Sequence, residues 1–116
     1  PIQVERRMDE KITYLVNANL QEAVSRGTGK GLARYVPERY NIAGKTGTTN
    51  DLRDSWFAGF GNNLIAVVWL GRDDNKSAGL TGSSGALRVW GKMMQQLDVG
   101  VLEQNQPEAI KWFWVN

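Results

Sequence analysis

The sequence predicts an α+β domain in which a mainly antiparallel sheet is flanked by helices on both faces. Three short strand-like segments follow one another with short connections, so neighbouring strands should run antiparallel. The third segment, residues 64–70, is apolar at every position, which implies a sheet that is covered on both faces. Amphipathic helical patterns precede and follow the three segments.

Length and composition exclude several classes of protein. The chain has 116 residues, 41% of them hydrophobic, which suits one ordered domain or part of one. A net charge of +2 gives no indication of nucleic-acid binding. No apolar run is long enough to span a membrane. Without His or Cys the chain holds no Ser-His-Asp triad, disulfide or thiolate zinc site, and we expect neither a cofactor nor a metal.

The first third of the chain predicts a helix between two irregular stretches. Residues 1–7 alternate in part and predict a short strand. Asp9 is the expected N-cap of a helix that runs to about Arg26 and ends at Gly27. We expect its apolar stripe to pack in the core: Ile12, Leu15, Val16, Leu20, Ala23 and Val24. The glycine-rich residues 27–31 predict a flexible link, with a loop that borders a site as the less favoured alternative, and residues 32–40 predict a short connection.

The predicted strands cover residues 41–49, 55–60 and 64–70, with a tight turn at residues 61–63. Residues 71–82 form a loop, after which Ser83 or Ser84 is expected to cap a second helix. The apolar face of that helix is Ala86, Leu87, Val89, Trp90, Met93, Met94 and Leu97. We expect one domain over residues 1–103 and a tail or linker over 104–116, with residues 109–115 extended and docked elsewhere.

The chemistry of the chain is concentrated in residues 42–51, which read I-A-G-K-T-G-T-T-N-D. In a strand, Lys45 and Gly47 point to one face, while Thr46 and Thr48 point to the other. An ammonium attracts a carboxylate, threonine hydroxyls can hydrogen-bond it, and Gly47 admits a close neighbour. Lys-Thr-Gly is also a named element of penicillin-recognising enzymes.

Two other interpretations of residues 42–51 compete with this one. A phosphate-binding loop requires glycine where Arg39 stands and a helix after Thr46, which Gly47 and the residues after it do not favour. An ordinary hairpin strand with a solvated Lys45 stays open on these residues alone.

Further residues along the chain fit one family. They are Gly27-Thr28-Gly29, residues 43–51, residues 54–59 (D-S-W-F-A-G), residues 68–74 (V-W-L-G-R-D-D) and Thr81-Gly82 with Gly85-Ala86. Together they resemble the end of the transpeptidase domain of bifunctional class A penicillin-binding proteins of the 1b type. The resemblance extends to about Leu97.

This resemblance implies a β-lactamase/transpeptidase-like fold, present here only as its C-terminal portion. The reaction would be D,D-transpeptidation, in which a serine takes the acyl group of a peptidoglycan stem peptide and an amine resolves the acyl-enzyme. Lys45 would be catalytic, the backbone N–H of Thr48 would form half of the oxyanion hole, and the carboxylate of the donor would be bound by the strand. The substrate-binding residues would be Thr46, Gly47, Thr48 and Thr49.

The resemblance also implies partners and a location. Stem peptides and β-lactam antibiotics would bind, the missing N-terminal part of the domain would pack here, and lipoprotein activators and other cell-wall synthesis proteins are further expected partners. The protein would work on the periplasmic side of the bacterial inner membrane, anchored by a segment outside this chain.

One part of the family pattern is missing from the chain. None of its five serines, at positions 25, 55, 77, 83 and 84, has lysine three residues on, and none begins Ser-x-Asn. We therefore expect a C-terminal piece that carries a substrate-binding wall without the nucleophile, and that is inactive alone.

Two alternative functions stay in view. A free Pro1 could act as a general base, because the N-terminal segment of the chain, Pro1-Ile2 followed by a predicted strand and helix, resembles that of the tautomerase superfamily. A non-catalytic glycan- or peptide-binding module would instead use Trp56, Trp69 and Trp112, although tryptophans in strands more often belong to the core.

Overall fold

A computed structural model describes residues 2–115 of the chain. Its main elements are α1 (Glu10–Ser25), β1 (Ala43–Thr48), β2 (Asp54–Phe60), β3 (Ile65–Gly71) and α2 (Ala86–Gln95), with 3₁₀ helices at Lys30–Arg34, Glu38–Tyr40 and Asn50–Leu52. The predicted α+β class and element order are confirmed. Over residues 2–115, no helix has the length and apolar character needed to cross a bilayer. Pro1, on which the tautomerase alternative rests, lies outside the described residues.

The three strands form one antiparallel meander in the order β1-β2-β3. The register places Thr46, Phe57 and Val68 in one cross-strand row, and Lys45, Ala58 and Val67 in the next row. Because successive side chains alternate between faces, these two rows belong to opposite faces of the sheet. We call them the Phe57 face and the Lys45 face.

Helix α2 covers the Phe57 face and completes the core. Phe57 and Trp90 are fully buried, and their rings meet edge to face with centroids 5.1 Å apart. The indole N–H of Trp90 donates to the carbonyl of Ala66 at 3.0 Å, so the one polar group of this large side chain is satisfied. The buried hydrophobic cluster is Leu32, Val36, Ile42, Phe57, Val68, Ala86, Leu87, Trp90, Met94 and Val99.

The Lys45 face is largely open over residues 2–115, which differs from the prediction of a sheet covered on both faces. Ile65, Val67 and Trp69 on β3 are between 46% and 75% exposed. The predicted core stripe of α1 is not buried either: Ile12, Leu15 and Val16 are exposed, and Leu20, Ala23 and Val24 are half-buried. The reason is that α1 packs on β1 and on the 3₁₀ helix at Lys30–Arg34, where only Val24 reaches the edge of the core.

The ends of the elements confirm one predicted cap and correct two other predictions. Asp9 caps α1, because its Oδ1 accepts from the N–H of Lys11 at 2.8 Å. Residues 2–8 form no strand, and Ile2 and Val4 are more than nine-tenths exposed. A strand needs a hydrogen-bonded neighbour, and none of the described strands pairs with this segment.

The N-cap of α2 is Gly85, and neither Ser83 nor Ser84 caps the helix. Instead, the fully buried Ser55 of β2 accepts from the N–H of Ala86 at 2.9 Å and donates to the carbonyl of Thr81 at 2.6 Å. A hydroxyl from the sheet therefore satisfies the first N–H of the helix from outside the sequence of the helix.

Ser55→Ala should lower the stability of the fold, because it leaves the buried N–H of Ala86 without its hydrogen-bond partner. A loss of about 1–3 kcal/mol in the free energy of unfolding is expected. Chemical denaturation measures it, with Ser25→Ala on the exposed end of α1 as the control. Equal midpoints for the two variants would contradict this role for Ser55.

Candidate active site

Strand β1 presents the Lys-Thr-Gly residues along an edge of the sheet. In residues 2–115, β1 pairs only with β2, so its outer backbone groups face away from the sheet. The first two residues of the strand are buried, whereas Lys45 and Thr48 are exposed and Thr46 and Gly47 are half-buried. The strand is thus anchored at its start and accessible where the candidate residues lie.

The ammonium of Lys45 is held by oxygen atoms of neighbouring threonines. Its Nζ donates to Thr28 Oγ1 at 3.2 Å, to the Thr46 carbonyl at 3.2 Å and to Thr46 Oγ1 at 3.4 Å. None of the ion pairs among residues 2–115 includes Lys45. The positive charge is therefore oriented by neutral groups, and its attraction for an external anion is not cancelled by a carboxylate of the described chain.

Thr28 joins this cluster from the loop after α1. Its Oγ1 lies 2.6 Å from Thr46 Oγ1, in addition to the contact with Lys45. The glycine composition of residues 27–31 predicts a flexible link, but the N–H groups of Gly27 and Gly29 donate to the carbonyls of Glu22 and Ala23. The loop is folded back on the end of α1, which brings Thr28 to β1.

Thr48 is fixed by a second loop. Its Oγ1 accepts from the N–H of Gly82 at 2.8 Å. A methyl group on Gly82 would lie 2.7 Å from both N and O of Gly47, so this loop lies directly on the backbone of β1. A methyl group on Gly47 itself would meet Trp56 Cβ at 3.2 Å. Gly47 therefore has a close neighbour, as the sequence predicts.

Thr49 contributes to the turn between β1 and β2. Its hydroxyl donates to Asp54 Oδ2 at 3.1 Å and accepts from the N–H of Asp54 at 2.9 Å. The other carboxylate oxygen of Asp54 accepts from the indole N–H of Trp69 at 3.0 Å. To receive a proton from Thr49, a ligand would have to replace the hydrogen bond from the Thr49 hydroxyl to Asp54 Oδ2.

The three tryptophans of the glycan- or peptide-binding alternative do not form one surface. Trp56 and Trp69 are neighbours on the Lys45 face, with ring centroids 6.3 Å apart. Trp112 instead donates its indole N–H to the hydroxyl of Tyr14 on α1, at 3.2 Å. It also closes a cavity of about 190 Å³ that includes none of the candidate active-site residues.

No serine of the described chain is arranged as a nucleophile beside Lys45. Ser55 is buried and bonded to Thr81 and Ala86, and Ser84 is bonded to Thr81. The hydrogen-bond partners of Lys45 are threonine oxygens only. Residues 2–115 also contain no cluster of acidic side chains placed to hold a metal ion.

An antiparallel sheet with Lys-Thr-Gly on its edge strand indicates the class of penicillin-recognising enzymes. The family model of the penicillin-binding protein transpeptidase domain matches residues 1–87. The chain therefore belongs to this transpeptidase family, and the predicted resemblance is confirmed. The family assignment gives no support to a tautomerase or to a glycan-binding module.

Individual relatives extend the match beyond residue 87. Penicillin-binding protein 1B of Vibrio cholerae is 40% identical over 113 residues, which are 95% of this chain. Penicillin-binding protein 1B of Haemophilus influenzae is 41% identical over 84% of the chain. The crystal structure of penicillin-binding protein 1A from Haemophilus influenzae covers 84% of the chain with a TM-score of 0.72 and 30% identity.

The chain is short compared with these proteins. It spans 14% of the length of the Vibrio cholerae relative, 12% of the Haemophilus influenzae 1B relative and 16% of the solved 1A chain. The match establishes family and fold for this segment.

Gly82→Ala should push the loop away from β1, because the added methyl group would collide with backbone atoms that have no room to move. Overpacking of this kind costs about 1–3 kcal/mol. Thermal unfolding is the measurement, and Gly31→Ala is the matched control, since its methyl group would lie 3.9 Å from the nearest atom. If the two variants unfold at the same temperature, the close contact between Gly82 and β1 is not present in solution.

Proposed function

We propose that this chain is the C-terminal part of a serine D,D-transpeptidase domain, which cross-links peptidoglycan stem peptides by acyl transfer and reacts with β-lactams. The observation that carries the proposal is the Lys45 ammonium, which is exposed on the edge strand of a transpeptidase-family sheet and is oriented only by hydroxyl and carbonyl oxygens. Such a group provides a preorganised positive charge for a donor carboxylate and for proton transfers at the serine.

The threonines of β1 would complete the recognition of the donor. Thr46 and Thr48 lie on the same face of the strand, and each hydroxyl has a proton that it can give to the donor carboxylate. The backbone N–H of Thr48 is proposed as one donor to the oxyanion, and Gly47 as the position where the substrate approaches closely. Thr49 would act next to them, at the end of the strand.

The edge position of β1 supports a peptide substrate. An extended peptide can add to an exposed sheet edge through main-chain hydrogen bonds, while nearby side chains supply selectivity. β1, whose outer edge is unpaired in residues 2–115, carries Lys45, Thr46 and Thr48 along its accessible part. This geometry suits a linear stem peptide better than a compact small molecule.

The open Lys45 face supports the view that further residues complete the domain. Val67 stands in the same cross-strand row as Lys45, and the apolar surface continues to Ile65 and Trp69. An element that covers this surface would also approach Lys45. We propose that it belongs to the part of the domain that bears the nucleophilic serine.

The proposed partners are stem peptides, β-lactams, the remainder of the domain and, for the whole protein, lipoprotein activators and other cell-wall synthesis proteins. The proposed location is the periplasmic side of the inner membrane. Both follow from the family, whose curated relatives here are bacterial penicillin-binding proteins.

The 116-residue chain alone should not be acylated by a labelled penicillin, because none of its serines has the Ser-x-x-Lys arrangement. Mass spectrometry of the intact chain after incubation measures this, with the complete protein as the positive control. A stoichiometric penicilloyl adduct on any serine of the chain would place the nucleophile inside it and contradict the proposal.

Lys45→Ala in the complete protein should slow acylation by on the order of 100-fold or more, which is the usual effect of removing one preorganised electrostatic group. Lys45→Arg keeps the charge but changes its shape, so its rate should fall between alanine and wild type. Stopped-flow acylation gives the rate constants for a β-lactam and for a stem-peptide donor.

Lys76→Ala, in the exposed loop after β3, is the matched control and should react at the wild-type rate. Similar rate constants for wild type and both Lys45 variants would show that Lys45 is only a solvated surface residue.

A further inference from the structure

The hydroxyl of Thr28 occupies a place that neither the motif nor the proposed function assigns. It lies between the Lys45 ammonium, at 3.2 Å, and Thr46 Oγ1, at 2.6 Å. Thr28 is separated by 17 residues from Lys45 and by 18 from Thr46, so the contact depends on the fold and not on the strand itself.

The donors and acceptors in this cluster determine which hydroxyl donates its proton to which oxygen. An ammonium only donates, so the oxygens of Thr28 and Thr46 both accept from Lys45. Each hydroxyl has one proton, and the 2.6 Å contact uses one of the two. If Thr28 donates to Thr46, the proton of Thr46 stays free to point at a ligand. A carboxylate bound to Thr46 can only accept, so it selects this order.

We propose that Thr28 is a positioning residue for recognition of the donor carboxylate. It accepts from Lys45, donates to Thr46, and thereby directs the proton of Thr46 toward the carboxylate. The inference rests on the proposed function and adds to it a residue outside the Lys-Thr-Gly strand. Charge-assisted hydrogen bonds in such a row reinforce one another. The direction of the hydrogen bond between Thr28 and Thr46 should therefore affect the affinity for the donor carboxylate.

The backbone around Thr28 is built to hold it in place. A methyl group on Gly27 would lie 2.8 Å from the Ala23 carbonyl oxygen, and one on Gly29 would lie 3.0 Å from Val24 Cα. Glycine on both sides therefore allows the loop to lie against the end of α1. The hydrogen bonds from these two glycines to α1 then fix the point from which Thr28 reaches β1.

The charge around Thr28 favours an anion. Thr28 is one of the residues that line a cleft of about 370 Å³, together with the cations Lys30, Arg34 and Arg88. None of the described residues that line it is acidic. Together with Lys45, these cations give the surroundings of the threonine pair a positive potential, which attracts a carboxylate-bearing donor.

The test is carried out in the complete protein with two probes, benzylpenicillin and its methyl ester. Thr28→Val removes the hydroxyl at nearly constant volume, and Thr28→Ser retains it. Thr28→Val should lower the second-order rate constant of acylation by benzylpenicillin about tenfold, the effect of losing one hydrogen bond in a charged cluster. The much smaller loss expected with the ester is a readout that a structural role would not produce.

Three further measurements make the test specific. Thr28→Ser should recover most of the rate, Thr28→Val should add little in a Thr46→Val background, and Thr13→Val on α1 should react as wild type. Equal losses for the acid and the ester would overturn the inference, as would an unchanged rate in Thr28→Val. If the wild-type complete protein itself fails to react with benzylpenicillin, the proposed function is wrong, and the inference falls with it.

Discussion

The structure depends on the packing of the Phe57 ring between two glycines and Trp90. A methyl group on Gly44 would lie 2.8 Å from the ring of Phe57, and one on Gly59 would lie 2.7 Å from it. Gly44 and Gly59 are cross-strand partners. The ring of Phe57 therefore lies against the face of the sheet at the one pair of β1 and β2 where neither strand has a side chain. A slip by two residues would bring Ile42 or Thr46 to the position of Gly44, which the ring excludes. This packing therefore sets the register of β1, and the register decides that Lys45 and Thr46 stand where they do.

Local patterns predicted most of the fold because they act through near neighbours in the chain. The Asp9 cap, the three strands and their antiparallel order depend on short-range geometry, and the strand bounds are correct within two residues. The errors share a different cause. The side-chain hydrogen bond to the first N–H of α2 comes from Ser55, 31 residues earlier in the chain, and residues 2–8 lack a strand to pair with. The burial of α1 and of the Lys45 face depends on what packs against them, which a periodic pattern does not specify.

In the candidate site, too, local patterns predict some residues, whereas others depend on contacts between distant parts of the chain. Lys45 and Thr46 are predicted because the Lys-Thr-Gly motif names them, and Thr48 because the family resemblance implies its role. The alternation of a strand gives their directions. Thr28 is not among the predicted site residues, because its contact with Thr46 joins positions 18 residues apart in the chain. A signal was nevertheless present in the sequence, since a threonine between two glycines indicates a backbone that must pass close to another element. For Thr49, the sequence did not indicate that its hydroxyl would be bound to Asp54.

The exposure of Lys45 determines how much its charge can contribute to chemistry. Two unit charges about 4 Å apart interact by ~1 kcal/mol in water and by ~4 kcal/mol at the effective dielectric of a protein surface. In residues 2–115 the ammonium faces water, where an external carboxylate gains little from it. The apolar side chains of Val67 and Trp69 lie on the Lys45 face of the sheet. A protein segment that packs on them would therefore also remove water from around Lys45. The same packing that buries the open face would then strengthen the electrostatics of the strand. The charge is oriented in this chain by Thr28 and Thr46, but its full effect requires a dry cleft that residues 2–115 do not enclose.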